Sequence, residues 1–332
     1  MRAVTIDEFG AAPTVNEVAK PVPGPGEILV KVSHSSLNGF DGAVVYGFLK
    51  DVLEHKFPVT LGKDFAGTVE AVGEGVGRAA GERVFGVVMK PVVQDGALAE
   101  YVVVGEGYGI AAAPEGLDSA HAGALGLAGS AAVGVIDALA PQPGENVLVI
   151  GATGGVGAYA VQLAARTGAT VIATAKPGAE TEFVKSLGAT HVVDHTGDLA
   201  AQVRALSPGG VHAAAHLAGD PGAAATLVAA GGRLASTLGF GPEAATELDI
   251  TVTSVMANPD PATLERLADA VVSGALTVPI AATYDLDAVG QVVLYQIDEL
   301  PKGVEQQIEV LARAAELTAE AMPSLRTMEN LT

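Results

Sequence analysis

Apolar and polar residues alternate over short stretches in the first 118 residues of the chain. The alternation is clearest in four segments separated by Gly and Pro: EILVKVSHSSL (27–37), FAGTVEAVG (65–73), ERVFGVVM (82–89) and LAEYVVV (98–104). Because successive side chains of a strand point to opposite faces of a sheet, this alternation predicts short, closely spaced strands. We therefore expect an all-β barrel or sandwich over residues 1–118.

Beyond Pro114 the pattern changes, and strand-like runs alternate with helical ones as far as about residue 277. The predicted strand–helix pairs are 146–150 with 155–167, 170–175 with 179–187, and 191–194 with 197–206, and the strand 233–237 closes the series. This alternation predicts a doubly wound α/β domain with a parallel sheet over residues 119–277. A further amphipathic helix is predicted at 303–321.

Composition and charge exclude several classes of protein. The 332 residues are 49% apolar, which is too much for a disordered chain, and the absence of Cys excludes disulfides, thiolate metal ligands and a cysteine nucleophile. The formal net charge of −20 repels phosphate backbones and anionic lipid, so we expect neither a nucleic acid nor a membrane as partner. The sequence starts without a signal-peptide pattern and has no long apolar span, so we expect a cytoplasmic protein.

The segment GATGGVG (151–157) lies between a predicted strand and a predicted helix. The spacing of Gly151, Gly154 and Gly157 gives G-x-x-G-x-x-G, a variant of the dinucleotide-binding fingerprint. The first glycine permits a tight turn, the second lets a pyrophosphate approach the backbone, and the third lets the helix pack closely on the strand. A dinucleotide site is therefore predicted here, and a tight turn that binds nothing is the alternative. The candidate residues are Gly151, Thr153, Gly154, Gly155, Val156 and Gly157.

The end of the second strand of this predicted domain decides between two cofactors. NAD-binding domains place an acid about 20 residues after the glycine loop to bind the ribose 2′-hydroxyl. Here the strand ends in Thr174-Ala175-Lys176, and a lysine favours the 2′-phosphate of NADP. We predict NADP as the cofactor, with Thr174 and Lys176 among the residues that bind it. Glu180 and Glu182 argue the other way, and an ordinary solvated lysine is the alternative for Lys176.

Several motifs in order along the chain give it a family resemblance. They are MRAV at the N-terminus, LNGFD (37–41), PVTLGKDFAGTVEAVG (58–73), GERVFG (81–86), GALAEYVVV (96–104), the glycine loop, VKSLGATHVVD (184–194) and VSGALTV (272–278). In these motifs the chain resembles the medium-chain dehydrogenase/reductase superfamily, and in particular its zinc-free quinone oxidoreductase branch of zeta-crystallin-like proteins. The resemblance implies a GroES-like β-barrel domain at 1–118 completed by residues 278–332, and a Rossmann domain at 119–277. It also implies a cleft between these domains and a homodimer joined through an edge strand at 248–257.

The resemblance implies, in addition, a site without metal. Zinc-dependent members of the superfamily bind their catalytic metal through a Cys in the segment that matches LNGFD and a His-Glu pair in the segment that matches GKD. Asn38 stands in the first position and Lys63-Asp64 in the second, and neither Asn nor Lys belongs to the usual zinc ligands. We therefore predict no metal, and a reaction in which NADPH passes a hydride to a conjugated acceptor.

Further site residues follow from the same motifs. Asn38 matches a cleft residue that contacts the nicotinamide ribose or the substrate, and His195 matches a residue near the adenosine phosphate. Leu238, Gly239 and Phe240 match the segment whose backbone meets the nicotinamide, and Phe240 is also a candidate for substrate contact.

Two side chains are candidates for the chemistry itself. Tyr46 stands at a shifted position relative to a tyrosine of the family and is a candidate substrate contact and proton donor; the alternative is an aromatic residue on the rim of the site. Lys63 occupies the vacated metal position, where a cation would stabilise the charge of a developing enolate. Its alternative is an ion pair with Asp64, Asp41 or another acid.

These predictions together describe a zinc-independent, NADPH-dependent reductase of quinones or α,β-unsaturated carbonyls. Two alternatives stay open. One is an enoyl-thioester reductase of polyketide-like metabolism, and the other is a sensor or structural protein that binds NADP without turnover.

Overall fold

The computed structural model describes residues 1–289, so the predicted helix at 303–321 lies outside the described residues. Each of the four alternating segments of the first domain contains a strand, which confirms the prediction. The elements of this part are β1 (Arg2–Ile6), β2 (Thr14–Glu17), β3 (Glu27–His34), α1 (Gly39–Val45), β4 (Glu54–His55), β5 (Val59–Thr60), β6 (Asp64–Val72), β7 (Arg83–Val87), β8 (Val92–Val93), β9 (Tyr101–Gly105) and β10 (Ile110–Ala112).

The strands of the first domain curl into a half-barrel around two apolar clusters. The main sheet is antiparallel, with the strand order β10-β7-β6-β3-β9, and the sheet β2-β1-β5 lies beside it. The fully buried rings of Phe65 and Phe85 come from its central strands β6 and β7. Leu286 and Val289 pack in the cluster of Val4, so the end of the described chain returns to this domain. The predicted domain boundaries stay a prediction.

The second domain is built on a parallel sheet with the strand order β13-β12-β11-β14-β15-β16. Its strands and the helices that connect them confirm the predicted alternation. The elements are α2 (Ser119–Gly123), α3 (Gly126–Leu139), β11 (Asn146–Ile150), α4 (Gly155–Arg166), β12 (Thr170–Thr174), α5 (Ala179–Ser186), β13 (His191–Val193), α6 (Leu199–Leu206), β14 (Val211–His216), α7 (Pro221–Ala225), β15 (Val228–Ser236), β16 (Ile250–Ser254) and α8 (Pro261–Val272).

Burial on both faces of this sheet explains its apolar strands. Val147 and Val149 of β11 point into one core cluster, while Leu148 and Ile150 point into the other, on the opposite face. A strand covered on both sides gains from apolar residues at every position, which is why NVLVI shows no alternation. Within residues 1–289 no helix has the length and apolar character needed to cross a bilayer.

The edge and the centre of this sheet add two strands to the predicted strand–helix series. β16 follows β15, forms the edge of the sheet and lies within the predicted edge strand 248–257, which confirms that strand. The central strand β14 is missing from the predicted series, because VHAAAH is rich in Ala, which is uncommon in strands. Its alanines are fully buried between neighbouring strands and helices, so tertiary packing overrides the weak local preference.

Candidate functional site

The glycine loop between β11 and α4 has the conformation that its spacing predicts. Gly151 has φ +83°, a region that favours glycine, and its N–H donates to Thr174 Oγ1 at 3.0 Å. A Cβ atom on Gly157 would lie 2.1 Å from the carbonyl oxygen of Gly151. Only glycine at this position lets the first turn of α4 pack against the loop.

The start of α4 offers backbone donors that the protein itself does not use. Gly154, the N-cap, has no side chain to cap the helix, and the first helical hydrogen bond is from Ala158 N to Gly154 O at 2.8 Å. The N–H groups of Gly155 and Val156 and Gly157 bond to nothing within residues 1–289. Free N–H groups at a helix N-terminus attract phosphate, so the residues fit the pyrophosphate of a nicotinamide dinucleotide.

The space in front of these donors is open. The nearest atom to a Cβ built on Gly155 is Ala128 Cβ at 3.6 Å, and Thr153 is exposed beside it. Ala128 belongs to the first turn of α3, so α3 borders the glycine loop. Thr174, by contrast, is buried, and its hydroxyl is engaged with Gly151 and with the carbonyl of Val149. Thr174 therefore shapes the loop from behind.

Lys176 and His195 lie at the same edge of the parallel sheet, just beyond β12 and β13. Both side chains are exposed. The pKa of Asp194 is lowered first by hydrogen bonds from Thr196 and further by the positive charges of His195 and Lys176. The carboxylate of Glu180 accepts a hydrogen bond from the backbone N–H of Lys176 at 2.9 Å. Lys176 and His195, the two predicted phosphate contacts, thus lie at one edge of the sheet, and the carboxylate of Glu180 binds the backbone beside Lys176.

The segment after β15 presents backbone rather than side chain. Leu238 N donates to Ser236 Oγ at 3.1 Å, and Gly239 has φ +74°. Phe240 is 8% exposed and packs in a core cluster with Ile150. Its side chain is therefore part of the core in this structure, and contact of this segment with the nicotinamide or the substrate stays a prediction.

His216, at the end of β14, is a core histidine. It is 1% exposed, its Nδ1 lies 2.9 Å from Ser236 Oγ, and its Nε2 lies 3.1 Å from the carbonyl oxygen of Gly219. Burial lowers its pKa, which favours the neutral imidazole.

In the first domain, two buried carboxylates organise the segment around Asn38. Asp41 accepts hydrogen bonds from the backbone N–H groups of Asn38 and Gly62, both at 2.8 Å, and burial raises its pKa to about 6. Asp64 accepts hydrogen bonds from Asn38 Nδ2 at 2.8 Å and from Ser36 Oγ at 2.5 Å. Burial raises the pKa of Asp64 as well, against the opposing effect of these hydrogen bonds.

Lys63 lies between these two acids in the sequence but forms no ion pair within the described residues. Its ammonium group donates to the carbonyl oxygen of Val88 and lies 4.9 Å from the centre of the Phe40 ring. Burial lowers its pKa, and the charges of Asp41 and Asp64 oppose that shift only in part. Within residues 1–289 the ion pair that was the alternative for Lys63 is therefore not formed, and the lysine is a partly buried cation that donates to one carbonyl.

A small cavity that opens to solvent lies beside Lys63. Its remaining walls are largely apolar and come from α1, β5 and β8, with Lys90 and Asp95 at one side; the apolar lining includes Phe40, Val44, Val59, Val92 and Val93. Tyr46 does not line this cavity. It is 42% exposed and stacks on Phe48 with ring centres 5.5 Å apart, so its role as a proton donor stays a prediction.

Sequence reasoning missed the roles of Ser36, Asp41 and Asp64. The first two lie in or beside LNGFD, and Asp64 follows Lys63, so the motifs contained them without showing which atoms they would bind. Within residues 1–289 no group of three His, Asp or Glu side chains could hold a metal ion. Independence from zinc stays a prediction from the residue types at positions 38 and 63.

Two family models match the chain. Residues 24–115 match the alcohol dehydrogenase GroES-like domain, and residues 155–259 match the zinc-binding dehydrogenase family. The first match contains the segment around Asn38 and Lys63, and the second starts at the first residue of α4.

Among curated proteins, a chloroplastic quinone-oxidoreductase homologue from Spinacia oleracea is 38% identical over 186 residues, which are 54% of this chain and 55% of that protein. A mycocerosic acid synthase-like polyketide synthase from Mycobacterium tuberculosis is 37% identical over 222 residues, which are 64% of this chain and 10% of that protein. The chain thus spans about half the length of the first relative and far less of the synthase.

Solved structures match over most of both chains. The quinone oxidoreductase from Coxiella burnetii has a TM-score of 0.80 and 26% identity, and covers 89% of this chain and 95% of its own. Mycobacterial Rv1454c in complex with NADPH has a TM-score of 0.79 and 26% identity, with 90% and 97% covered. Both matches extend across the half-barrel and the parallel sheet.

Proposed function

The chain belongs to the medium-chain dehydrogenase/reductase superfamily, in its quinone oxidoreductase branch, and from that premise we propose that it is a metal-independent, NADPH-dependent reductase of quinones or α,β-unsaturated carbonyls. A nicotinamide cofactor is supported by the similarity to an NADPH-bound structure and by the fit of the glycine loop. The choice of NADPH over NADH rests on Lys176 and His195.

The observation that carries the proposal is a set of contacts that links the open glycine loop to the segment of the half-barrel that contains Lys63. Gly155 borders Ala128 of α3, and the N–H of the neighbouring Leu127 donates to Asp64 at 2.6 Å, directly beside Lys63 in the chain. These contacts thus link the segment that offers donors for a dinucleotide to the segment that carries the cation proposed for the substrate. This arrangement suits a reaction that passes a hydride between two bound molecules.

The chain's own residues have separate tasks in this reaction. When bound, NADPH supplies the hydride. The backbone N–H groups at the start of α4 hold the pyrophosphate, and the buried Asp64 fixes the amide of Asn38. Lys63, at the wall of the cavity, holds a positive charge where the carbonyl oxygen of the acceptor becomes negative. Its lowered pKa also makes the ammonium a better proton donor to that oxygen than an exposed lysine.

The test is oxidation of NADPH by the purified chain with a panel of quinones and enones, run with and without a metal chelator. We expect turnover on at least one acceptor class, unchanged by the chelator. Loss of activity on chelation would overturn metal independence. NADPH binding without turnover on any acceptor would favour the alternative of a sensor or structural protein.

A second candidate function is reduction of an enoyl thioester. The observation that favours it is the 37% identity to a segment of a polyketide synthase. A conjugated thioester presents the same carbonyl oxygen to Lys63, so the same residues serve. An acyl thioester in the same panel separates the two, because a preference for the thioester over the quinones by kcat/KM would support this candidate.

We also propose a cytoplasmic homodimer that acts on a small molecule without a nucleic acid or membrane partner. Two β16 strands at the edges of their sheets would pair, because an edge strand has unpaired N–H and C=O groups. Light scattering tests this part, and the mass of a single 33.1 kDa chain would contradict it.

A further inference from the structure

The carboxylate of Asp64 joins the two domains. Asp64 is 0% exposed and begins β6 in the half-barrel. Its Oδ1 accepts a hydrogen bond from the backbone N–H of Leu127 in the first turn of α3, at 2.6 Å. Its Oδ2 accepts from Asn38 Nδ2 and from Ser36 Oγ. One oxygen thus binds the helix that borders the glycine loop, and the other binds the amide predicted to meet the ligand.

These contacts determine which way the Asn38 amide points. Its nitrogen donates to Asp64 at 2.8 Å and to Ser36 Oγ at 3.2 Å. The N–H of Asp41, by contrast, donates to the backbone carbonyl oxygen of Asn38 at 3.0 Å. The reverse orientation would place the amide oxygen against a carboxylate, which can only accept. The hydrogen-bond pattern therefore allows one orientation.

The fixed orientation makes Asn38 an acceptor toward a ligand. Both of its N–H bonds are committed to Ser36 and Asp64, whereas an amide oxygen has two lone pairs, of which α1 uses at most one. Asn38 is only half-buried. The side chain therefore has acceptor capacity left and no donor capacity.

We propose that Asp64 is a positioning residue that holds Asn38 as a hydrogen-bond acceptor, so that the site selects a hydroxyl group of its ligand. This inference rests on the proposed function for the identity of the ligands. The hydroxyl is either that of the nicotinamide ribose or that of the reduced acceptor, since both are O–H donors. Because Leu127 ties Asp64 to α3, the acceptor is fixed relative to the glycine loop.

The test is a double-mutant cycle between D64N and N38S. In D64N the new amide keeps an acceptor for Leu127 and turns its NH₂ toward Asn38, which then gains from flipping its own amide. N38S keeps a side-chain acceptor at the helix N-cap but removes the amide. The NADPH dissociation constant, measured by calorimetry, and kcat/KM for the acceptor are determined for both single variants and the double variant.

We expect D64N to weaken one of these two quantities about three- to tenfold, the effect of one hydrogen bond. In the N38S background the same change should have no further effect, because the amide it flips is absent. Coupling in the NADPH dissociation constant identifies the ribose hydroxyl, and coupling confined to kcat/KM identifies the acceptor. Independent, multiplying losses in both quantities would overturn the proposal.

Two further variants keep the result interpretable. If D64N does not fold, S36A takes its place in the cycle, because it removes one acceptor from the Asn38 NH₂ and one donor from Asp64. A smaller loss of binding or kcat/KM that vanishes in the N38S background supports the proposal. A loss that persists in that background overturns it. D118N is the matched control, because Asp118 also caps a helix but lies far from Asn38 in the sequence and is exposed; we expect it to leave both quantities unchanged. If wild-type protein binds NADPH without turnover, the proposed function fails, while the binding cycle still decides the role of Asp64.

Discussion

The two sides of the candidate site are built in opposite ways. On the glycine loop the proposed working groups are backbone N–H groups, and its glycines leave space for a phosphate. In the half-barrel the proposed working groups are the side chains of the buried Asp41 and Asp64 and of the partly buried Lys63. A backbone site loses little by being empty, because its N–H groups face solvent, whereas a buried charge costs free energy whether or not a ligand is present.

The half-barrel compensates its charges unequally. Asp41 accepts two backbone N–H bonds, and Asp64 accepts three hydrogen bonds. Lys63 has one carbonyl oxygen and the face of one aromatic ring. Perturbed pKa values cluster at functional sites, and the unequal compensation is the reason for proposing that Lys63 acts in the chemistry.

The largest effect is expected where the loop has no space. In Gly157→Val the Cβ atom would lie 2.1 Å from the carbonyl oxygen of Gly151, so the loop and the start of α4 must move apart. We expect a loss of about 3 kcal/mol or more in the free energy of unfolding, at the upper end for overpacking, together with loss of NADPH binding. Urea denaturation and calorimetry measure the two effects.

Gly155→Ala is the matched control for this change. Its Cβ would meet nothing closer than 3.6 Å, and it faces the open side of the loop. Stability should stay within about 0.5 kcal/mol of the wild type, while NADPH binding weakens because the methyl group meets the phosphate. Equal stability of the Gly155 and Gly157 variants would show that close packing is not the reason for the glycine spacing.

A pH-dependent effect is expected on the half-barrel side. Asp41 has a pKa of about 6 in the folded protein, above the value of about 3.9 in an unfolded chain. The folded state therefore binds this proton more tightly. Its contribution to stability is present below pH 4 and is lost as the pH rises through 6, by about 3 kcal/mol in all. Asp41→Asn should remove this part of the decrease in the free energy of unfolding between pH 4 and pH 6.

Denaturation by urea at several pH values between 4 and 7 measures how steeply the free energy of unfolding depends on pH. Because an amide does not titrate, its own hydrogen bonds contribute equally at every pH and shift the curve of the variant without tilting it. Asp95→Asn, at the same cavity but paired with Lys90 and half-exposed, is the control and should keep the wild-type slope. Parallel curves for Asp41→Asn and the wild type would contradict the assignment.

Lys63→Met should move activity and stability in opposite directions. Methionine keeps the apolar stem and removes the buried charge, so the free energy of unfolding should rise or stay constant. The charge that stabilises the acceptor oxygen is lost, and kcat should fall about ten- to a hundredfold, which is a common size for such a group. NADPH affinity should not change.

Lys90→Met provides the comparison for Lys63. Lys90 lines the same cavity, but its charge is already paired with Asp95 at 3.0 Å. We expect less than a threefold change in kcat for this variant, in line with the small energy of an exposed pair. If the two lysine variants lower kcat equally, the general positive charge of the cavity matters and the position of Lys63 does not.

The same contrast explains which parts of the site could be predicted from the sequence alone. The glycine loop was predicted to the residue, because tight turns and close approach depend on local spacing. The network around Asp64 was not predicted, because it joins residues from positions 36, 38, 64 and 127, which only the folded chain brings together. Likewise Lys63 was recognised by its place in a motif, but its lack of a carboxylate partner within residues 1–289 depends on how Asp41 and Asp64 accept from other donors instead.

The smallest effect is expected at Lys176, on the glycine-loop side of the site. Lys176→Ala should weaken NADPH binding about tenfold and leave NADH nearly unchanged, because an exposed charge-assisted hydrogen bond to the 2′-phosphate is worth about 1.5 kcal/mol. The overall charge of −20 repels that phosphate, so a local cation has a measurable effect. Lys176→Glu should go further and reverse the preference, since it offers an acceptor to the ribose hydroxyl and repels the phosphate.

Lys185→Ala is the control for both variants, because Lys185 is an exposed lysine of α5 that pairs with Glu182. Dissociation constants for NADPH and NADH at one pH and ionic strength are the measurement, and raising the salt concentration should shrink the effect of Lys176 as screening increases.

Glu180 adds a second expectation, because its carboxylate accepts a hydrogen bond from the backbone N–H of Lys176. Glu180→Gln keeps that contact but removes a negative charge, and should strengthen NADPH binding slightly. Equal use of NADPH and NADH by the wild-type chain, with no response to any of these changes, would show that Lys176 is an ordinary surface lysine and that the loop alone binds the cofactor.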